Sequence, residues 1–202
     1  MSLRIAFSLI VLSLSCAAQD LPPVFEKWIV DQKSVGNILV SFEQVRSTPT
    51  LKEPVKSVGR FWKMQDGRFR WEMGSPATTV MIFDRENVLL KEGQAAWETL
   101  KADDSRARTW MKFLSGREMD KESLTKSFTV KATQQETKYA TMTLVPKALL
   151  VKKHLKQIDM QIEPGGKRMF LLRVIQGDGA TLTMTFGVPS AVSGGDGLFL
   201  AK

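Results

Sequence analysis

Val58-Gly59-Arg60-Phe61-Trp62-Lys63-Met64-Gln65-Asp66-Gly67-Arg68-Phe69-Arg70-Trp71-Glu72-Met73 is the stretch whose reading decides the fold. Asp66-Gly67 is a strong two-residue hairpin signal, because glycine and aspartate tolerate the backbone that a tight turn demands. Before it, Val58, Arg60, Trp62 and Met64 fall on one face of a strand, and Gly59, Phe61 and Lys63 on the other. After it, Phe69, Trp71 and Met73 alternate with Arg68, Arg70 and Glu72. A period of two on both sides of a turn is antiparallel β-structure.

The same period extends outward. Ile38, Val40 and Phe42 alternate with Leu39, Ser41 and Glu43 upstream, before a polar, proline-bearing connection over residues 47–54. Downstream, strands are predicted over 78–83, 87–91 and 95–100, with separators of turn length. Such a run argues for a meander that closes, or nearly closes, into a barrel. Residues 103–115 interrupt it with a helical pattern: Asp103, Asp104 or Ser105 as cap, Trp110, Phe113 and Leu114 as apolar face, Gly116 as stop. A second polar helical turn is predicted over 120–126. Strands resume over 128–133, 139–145, 156–163, 168–176 and 180–186; residues 146–154 read as short helix or loop. At the front, Pro22 to Lys33 reads as a helix with Phe25, Trp28 and Ile29 on one face. The Gly- and Ser-rich tail from Gly187, and 190–202 in particular, is expected to be loosely held and flexible.

The extreme N-terminus has the three parts of a secretory leader: Arg4, an apolar run from Ile5 to Leu14, and small residues at Ser15 to Ala18. That run is shorter than the roughly 20 residues a bilayer needs. Residues 1–18 are therefore expected to be removed, with a cut after Ala17 as the alternative. A cut after Ala18 removes Cys16, and with it any thiolate chemistry. Acylation of Cys16 is the rival reading, although Ser13 stands where a lipobox places an aliphatic residue. About 180 residues remain, a normal single domain. The net charge of +8 falls by one when Arg4 leaves, and suits anionic lipid surfaces or nucleic acid. Export favours the lipid reading.

Ser41-Phe42-Glu43-Gln44, then Gly59-Arg60-Phe61-Trp62-Lys63, then Gly67-Arg68-Phe69-Arg70-Trp71-Glu72 and Pro76 resemble the N-terminal half of the LolA-type lipoprotein carriers. Leu144-Val145-Pro146-Lys147 and Leu155-Lys156-Gln157-Ile158 are similar to the second half, so the resemblance spans about residues 24 to 189. It implies a mainly β fold with α: a half-open, unclosed antiparallel β-barrel around an apolar cavity, with an N-terminal helix and an inserted helical lid, as one carrier domain over 19–189. It also implies a periplasmic monomer that shields the acyl chains of a lipoprotein between an inner-membrane donor and an outer-membrane acceptor. There are two departures. Many carriers have an Arg-Pro pair after the aromatic strand whose arginine helps hold the lid; here Lys63-Met64-Gln65-Asp66 stands there. The C-terminal elements of some lipoprotein carriers are also expected to be missing beyond Phe186.

Residue chemistry fits carriage. Each buried methylene is worth about 0.8 kcal/mol, and a site that must also release its cargo suits flexible methionine; there are 10 Met, five Trp and 11 Phe. Phe42, Trp62, Phe69, Trp71, Val80 and Ile82 are the candidate cavity wall, and Trp110, Phe113 and Leu114 the candidate lid. Arg68 or Arg70 could replace the missing lid-holding arginine or meet a headgroup. Lys101, Arg106, Arg108, Lys112, Lys152, Lys153 and Lys156 are ordinary solvated charges or steer the chain toward acidic partners and membrane surfaces.

No catalytic constellation assembles. His154 is the single histidine, no Gly-x-Ser-x-Gly elbow accompanies it, and one histidine without cysteine rules out the usual zinc sets. No cofactor is expected. A carrier of another lipid (glycolipid, aryl-lipid or fatty acyl product) carries the same signature, as does an outer-membrane-associated acceptor if Cys16 is acylated. Nucleic-acid binding is disfavoured, because the aromatics alternate toward a core instead of interleaving with basic residues.

Overall fold

The computed structural model describes residues 21–84, 87–100, 120–134, 139–193 and 195–201. Helix α1 (Pro23–Ser34) opens the described chain with proline in its first turn, where the missing N–H costs nothing. It buries Val24, Phe25, Trp28 and Ile29 along one face. Twelve strands follow among the described residues. The first meander is β1 (Ile38–Ser47), β2 (Val55–Lys63), β3 (Phe69–Gly74), β4 (Ala77–Asp84), β5 (Asn87–Glu92) and β6 (Glu98–Leu100). The second is β7 (Phe128–Gln134), β8 (Ala140–Pro146), β9 (Leu155–Ile162), β10 (Met169–Gln176) and β11 (Thr181–Phe186), with β12 (Ser190–Ala191) on the end of β1. Two short helices, α2 (Lys121–Ser127) and α3 (Leu149–Lys152), precede β7 and β9. Asp120 caps α2, accepting from the Ser123 N–H at 2.7 Å.

The strand order is β6-β5-β4-β3-β2-β1-β11-β10-β9-β8-β7. Pairing of β1 with β11 joins the two meanders, and no ladder links β6 to β7 among the described residues. This is the unclosed, half-open antiparallel barrel that the resemblance implied. The largest core cluster unites the buried face of α1 with Phe42, Phe69 and Trp71 of one meander and Met142, Leu144, Met160 and Leu172 of the other. The sheet thus curls around α1, which fills one part of its concavity.

Two local details set which side chains face inward. The Gly67 N–H donates to the Met64 carbonyl (3.0 Å) and the Met64 N–H to the Arg68 carbonyl (2.9 Å), with Gly67 at φ +89°. The β2–β3 connection therefore takes three residues, not two, and pairs Phe61 with Trp71. At the next turn, Gly74 faces Ala77, but a bulge shifts the ladder so that Trp71 faces Met81.

The tail differs from expectation. β12 pairs with Ile38 and Leu39, and a 3-10 turn (Asp196–Phe199) lies on the outer face of the sheet. There Phe199 packs with Trp62, Met64 and Ile82. The apolar stripe of Trp62, Met64 and Ile82 on the back of the sheet supplies the physical reason, since the tail's Phe199 covers it and removes it from water. The predicted helix over 103–115, with Trp110, Phe113 and Leu114, and the leader over 1–18 lie outside the described residues.

Candidate functional site

The inner face holds an apolar cavity of about 400 Å³, within the size range of small-molecule sites. Strands β3 and β4 contribute Trp71, Met73 and Met81 to its wall, β5 and β6 Leu90 and Leu100, and β11 Leu182 and Met184. Gln44 and Arg46 of β1, Glu92 of β5 and Thr181 of β11 add polar groups. Alternation explains the gradient: Val40, Phe42, Gln44 and Arg46 share the inner face and become polar toward the strand end.

Below the cavity lies an aromatic floor. Phe42 stacks on Trp71 at 4.1 Å between centroids, Trp71 stacks on Phe61 at 5.8 Å, and Phe186 meets both Phe42 and Phe61 edge-on. Gly59 lies opposite Phe42 and makes room for it: a Cβ there would sit 2.2 Å from Phe42 Cζ and 2.5 Å from the Glu72 carbonyl oxygen. Beyond this floor is a smaller crevice of about 100 Å³ between α1 and the sheet, with Trp28, Phe61, Phe186 and Lys63 in its lining. On β1, Val40 lines the crevice and Gln44 the cavity, so the two lie ~13 Å apart along the strand at about 3.3 Å per residue. The Lys63 ammonium donates to the Gln32 carbonyl at 3.0 Å, and burial holds its pKa below the ordinary value.

Of the predicted wall, Trp71 lines the cavity, while Phe42 and Phe69 are buried in the core beneath it. Trp62, Val80 and Ile82 are on the opposite face, a correction with a clear cause. A two-residue turn at Asp66-Gly67 would pair Trp62 with Trp71, and an unbulged turn at Gly74 would pair Val80 with Trp71. Each extra residue slips the register by one and turns the strand over. Trp62 and Ile82 both face Arg70 instead, and Val80 faces Glu72.

Among the described residues, Arg68 and Arg70 hold the tail. Arg68 donates to Asp66 and Asp196, both at 2.8 Å, and its guanidinium lies 4.8 Å from the centre of the Phe199 ring. Arg70 donates to the Leu198 carbonyl at 2.7 Å and to the buried Glu72, which also accepts from Arg60 at 3.0 Å. The wall residues missed from sequence are Met73, Met81, Leu90, Leu100, Leu182 and Met184. Met73 could have been found, since it continues the alternation of Phe69 and Trp71.

A family model described as "Outer membrane lipoprotein carrier protein LolA" matches residues 33–199. The chain belongs to the LolA family. This places it in a superfamily that binds lipids or lipoproteins, whose members are carriers and binding proteins and are generally periplasmic and bacterial. No curated protein matches the sequence. Solved structures similar to this LolA-family chain include a LolA superfamily protein from Nitrosomonas europaea, with 6% identity, 87% of this chain and 97% of that one covered, and a TM-score of 0.45. Another is a DUF1329 family protein from Desulfovibrio piger (7% identity, 87% and 95% covered, TM-score 0.47). A third is LprF from Mycobacterium bovis (10% identity, 85% and 93% covered, TM-score 0.43). Among the described residues, no cluster of three or more His, Cys, Asp or Glu could hold a metal ion. None of the described helices is long and apolar enough to cross a membrane.

Proposed function

We propose that this protein is a periplasmic carrier that shields the acyl chains of a lipoprotein in the β3–β6/β11 cavity. It takes the cargo from an inner-membrane donor and gives it to an outer-membrane acceptor. The observation that carries the reading is the wall itself: three methionines, three leucines and one tryptophan on a LolA-family fold, with charge confined to Arg46 and Glu92. Methionine lets the wall adapt to a disordered chain without gripping one shape, so cargo can leave.

One observation favours a second cargo class. Lys63-Met64-Gln65-Asp66 stands where many carriers have the lid-holding arginine, Met64 is buried on the outer face, and Arg68 and Arg70 are engaged with the tail. With no arginine at that place, another acylated lipid is the alternative cargo. Native mass spectrometry of protein purified from the periplasm, followed by organic extraction, tests both readings. An acyl-bearing peptide supports lipoprotein carriage, and a peptide-free lipid the alternative. An empty protein that also refuses a fluorescent fatty acid would overturn carriage.

A further inference from the structure

The turn from Lys147 to His154, between β8 and β9, is exposed at every position. Its centre is apolar: Leu149 is 78% exposed, Leu150 75% and Val151 43%, and helix α3 buries none of its residues. Single exposed leucines are ordinary, but three consecutive exposed aliphatics at the tip of a turn are not explained by packing. Lys147 precedes the group and Lys152, Lys153 and Lys156 follow it, while no Asp or Glu occurs from Thr137 to Ile158. Lys152, Lys153 and Lys156 have no carboxylate partner among the described residues.

The turn is also fixed beside the cavity. The Gly177 N–H donates to the His154 carbonyl at 2.9 Å, and the backbones touch so closely that a Cβ on Gly177 would lie 1.7 Å from the Lys153 oxygen. One residue back, Gln176 lines the cavity and its N–H donates to the carbonyl of Ala180, another lining residue, at 2.8 Å.

We infer that Leu149, Leu150 and Val151 form a wedge that enters the headgroup–acyl boundary of an anionic bilayer, with Lys152, Lys153 and Lys156 on the phosphates around it, while the Lys147 ammonium donates to the Thr125 carbonyl and braces the turn. Charge complementarity selects this occupant: a lysine-rich collar around an apolar tip, with Asp178 of the adjoining turn engaged by the Ala180 N–H, matches anionic headgroups over hydrocarbon, whereas a second copy of the turn would meet like charge. Docked this way, the wedge holds the Gln176–Ala180 side of the cavity next to the membrane. A chain can then pass between bilayer and cavity with little exposure to water. That consequence rests on the lipid reading of the cavity; the docking itself does not.

The test is co-sedimentation of the full mature protein with vesicles of phosphatidylethanolamine containing a minority of phosphatidylglycerol. Uptake of a fluorescent fatty acid from solution is measured in parallel. The paired variant Leu149→Asp/Leu150→Asp should lose vesicle binding by about tenfold or more. Lys152→Glu/Lys153→Glu should weaken it by about 25-fold or more, taking about fivefold per lysine neutralised, and raised salt should do the same. Uptake from solution should stay at the wild-type level in both, because neither pair lines the cavity. Wild-type protein that ignores the vesicles would overturn the wedge, as would vesicle binding retained by both pairs. So would a wild-type dimer that the leucine pair converts to monomer, since a second copy would then cover the tip. Failure of fatty-acid uptake alone would overturn the cavity reading and leave the wedge standing.

Discussion

Lengthening a saturated fatty acid by two methylenes should tighten its binding to this protein about fifteenfold, at about 0.8 kcal/mol per methylene removed from water. The rise should continue until the cavity of about 400 Å³ is full, then level off. The wall makes the slope steep, because Met73, Met81, Leu182 and Met184 offer no hydrogen-bond donor that a methylene would strip of water. Met81 stands at the centre of this wall, laddered between Trp71 and Leu90. Met81→Glu places a carboxylate where cargo should lie, and moving a carboxylate out of water costs several kcal/mol in real proteins. The site then keeps its water, and the longest chains should bind about 100-fold more weakly. Met81 is only half-buried, so the variant should fold. Displacement of a fluorescent fatty acid across a series of chain lengths reads the slope, and circular dichroism melting checks the fold. Affinity that is flat with chain length, or a folded Met81→Glu protein that binds as wild type does, would refute the reasoning.

Gly59→Ala should destabilise the protein by about 3 kcal/mol, because the new methyl meets the Glu72 carbonyl oxygen, which cannot swing aside as the Phe42 ring can. An unchanged urea midpoint would show that the sheet gives there freely. Phe199→Ala should cost about 3 kcal/mol in urea unfolding yet leave fatty-acid affinity alone, since Phe199 packs on the face opposite the cavity; a loss of affinity would contradict that separation. Lys63 is depressed below 10.5 by burial, so the unfolded chain binds its proton more tightly. Its contribution to stability is therefore least favourable below the folded pKa and improves as pH climbs from there toward 10.5. Lys63→Met should flatten that alkaline rise in a stability–pH profile, and an equal rise in the variant would discount the effect of burial.

How much of this was legible in advance differs between fold and site. Twofold alternation placed the strands to within a few residues, Pro22-Pro23 and the Phe25/Trp28/Ile29 spacing placed α1, and Asp120 marked the start of α2. These are local properties: period, capping and turn chemistry are written in neighbouring residues. The sequence by itself therefore determined a leading helix followed by an antiparallel meander that nearly closes into a barrel, and the order of its motifs named the family.

Only the tertiary structure decided which face is inside. Both faces of β2 carry aromatics, Phe61 on one and Trp62 on the other, so alternation shows two faces without ranking them. The ranking came from single residues added at two turns: the third residue of the Gln65–Gly67 loop and the bulge at Gly74. Each moves a whole strand by one register step and exchanges its faces. The outer stripe could then be apolar because the tail returns from over 100 residues away to cover it, held by Arg68 to Asp196 and Arg70 to Leu198. A contact at that separation leaves no trace in local periodicity. Trp62 thus became a seat for the C-terminus, and Trp71 the wall of a cavity.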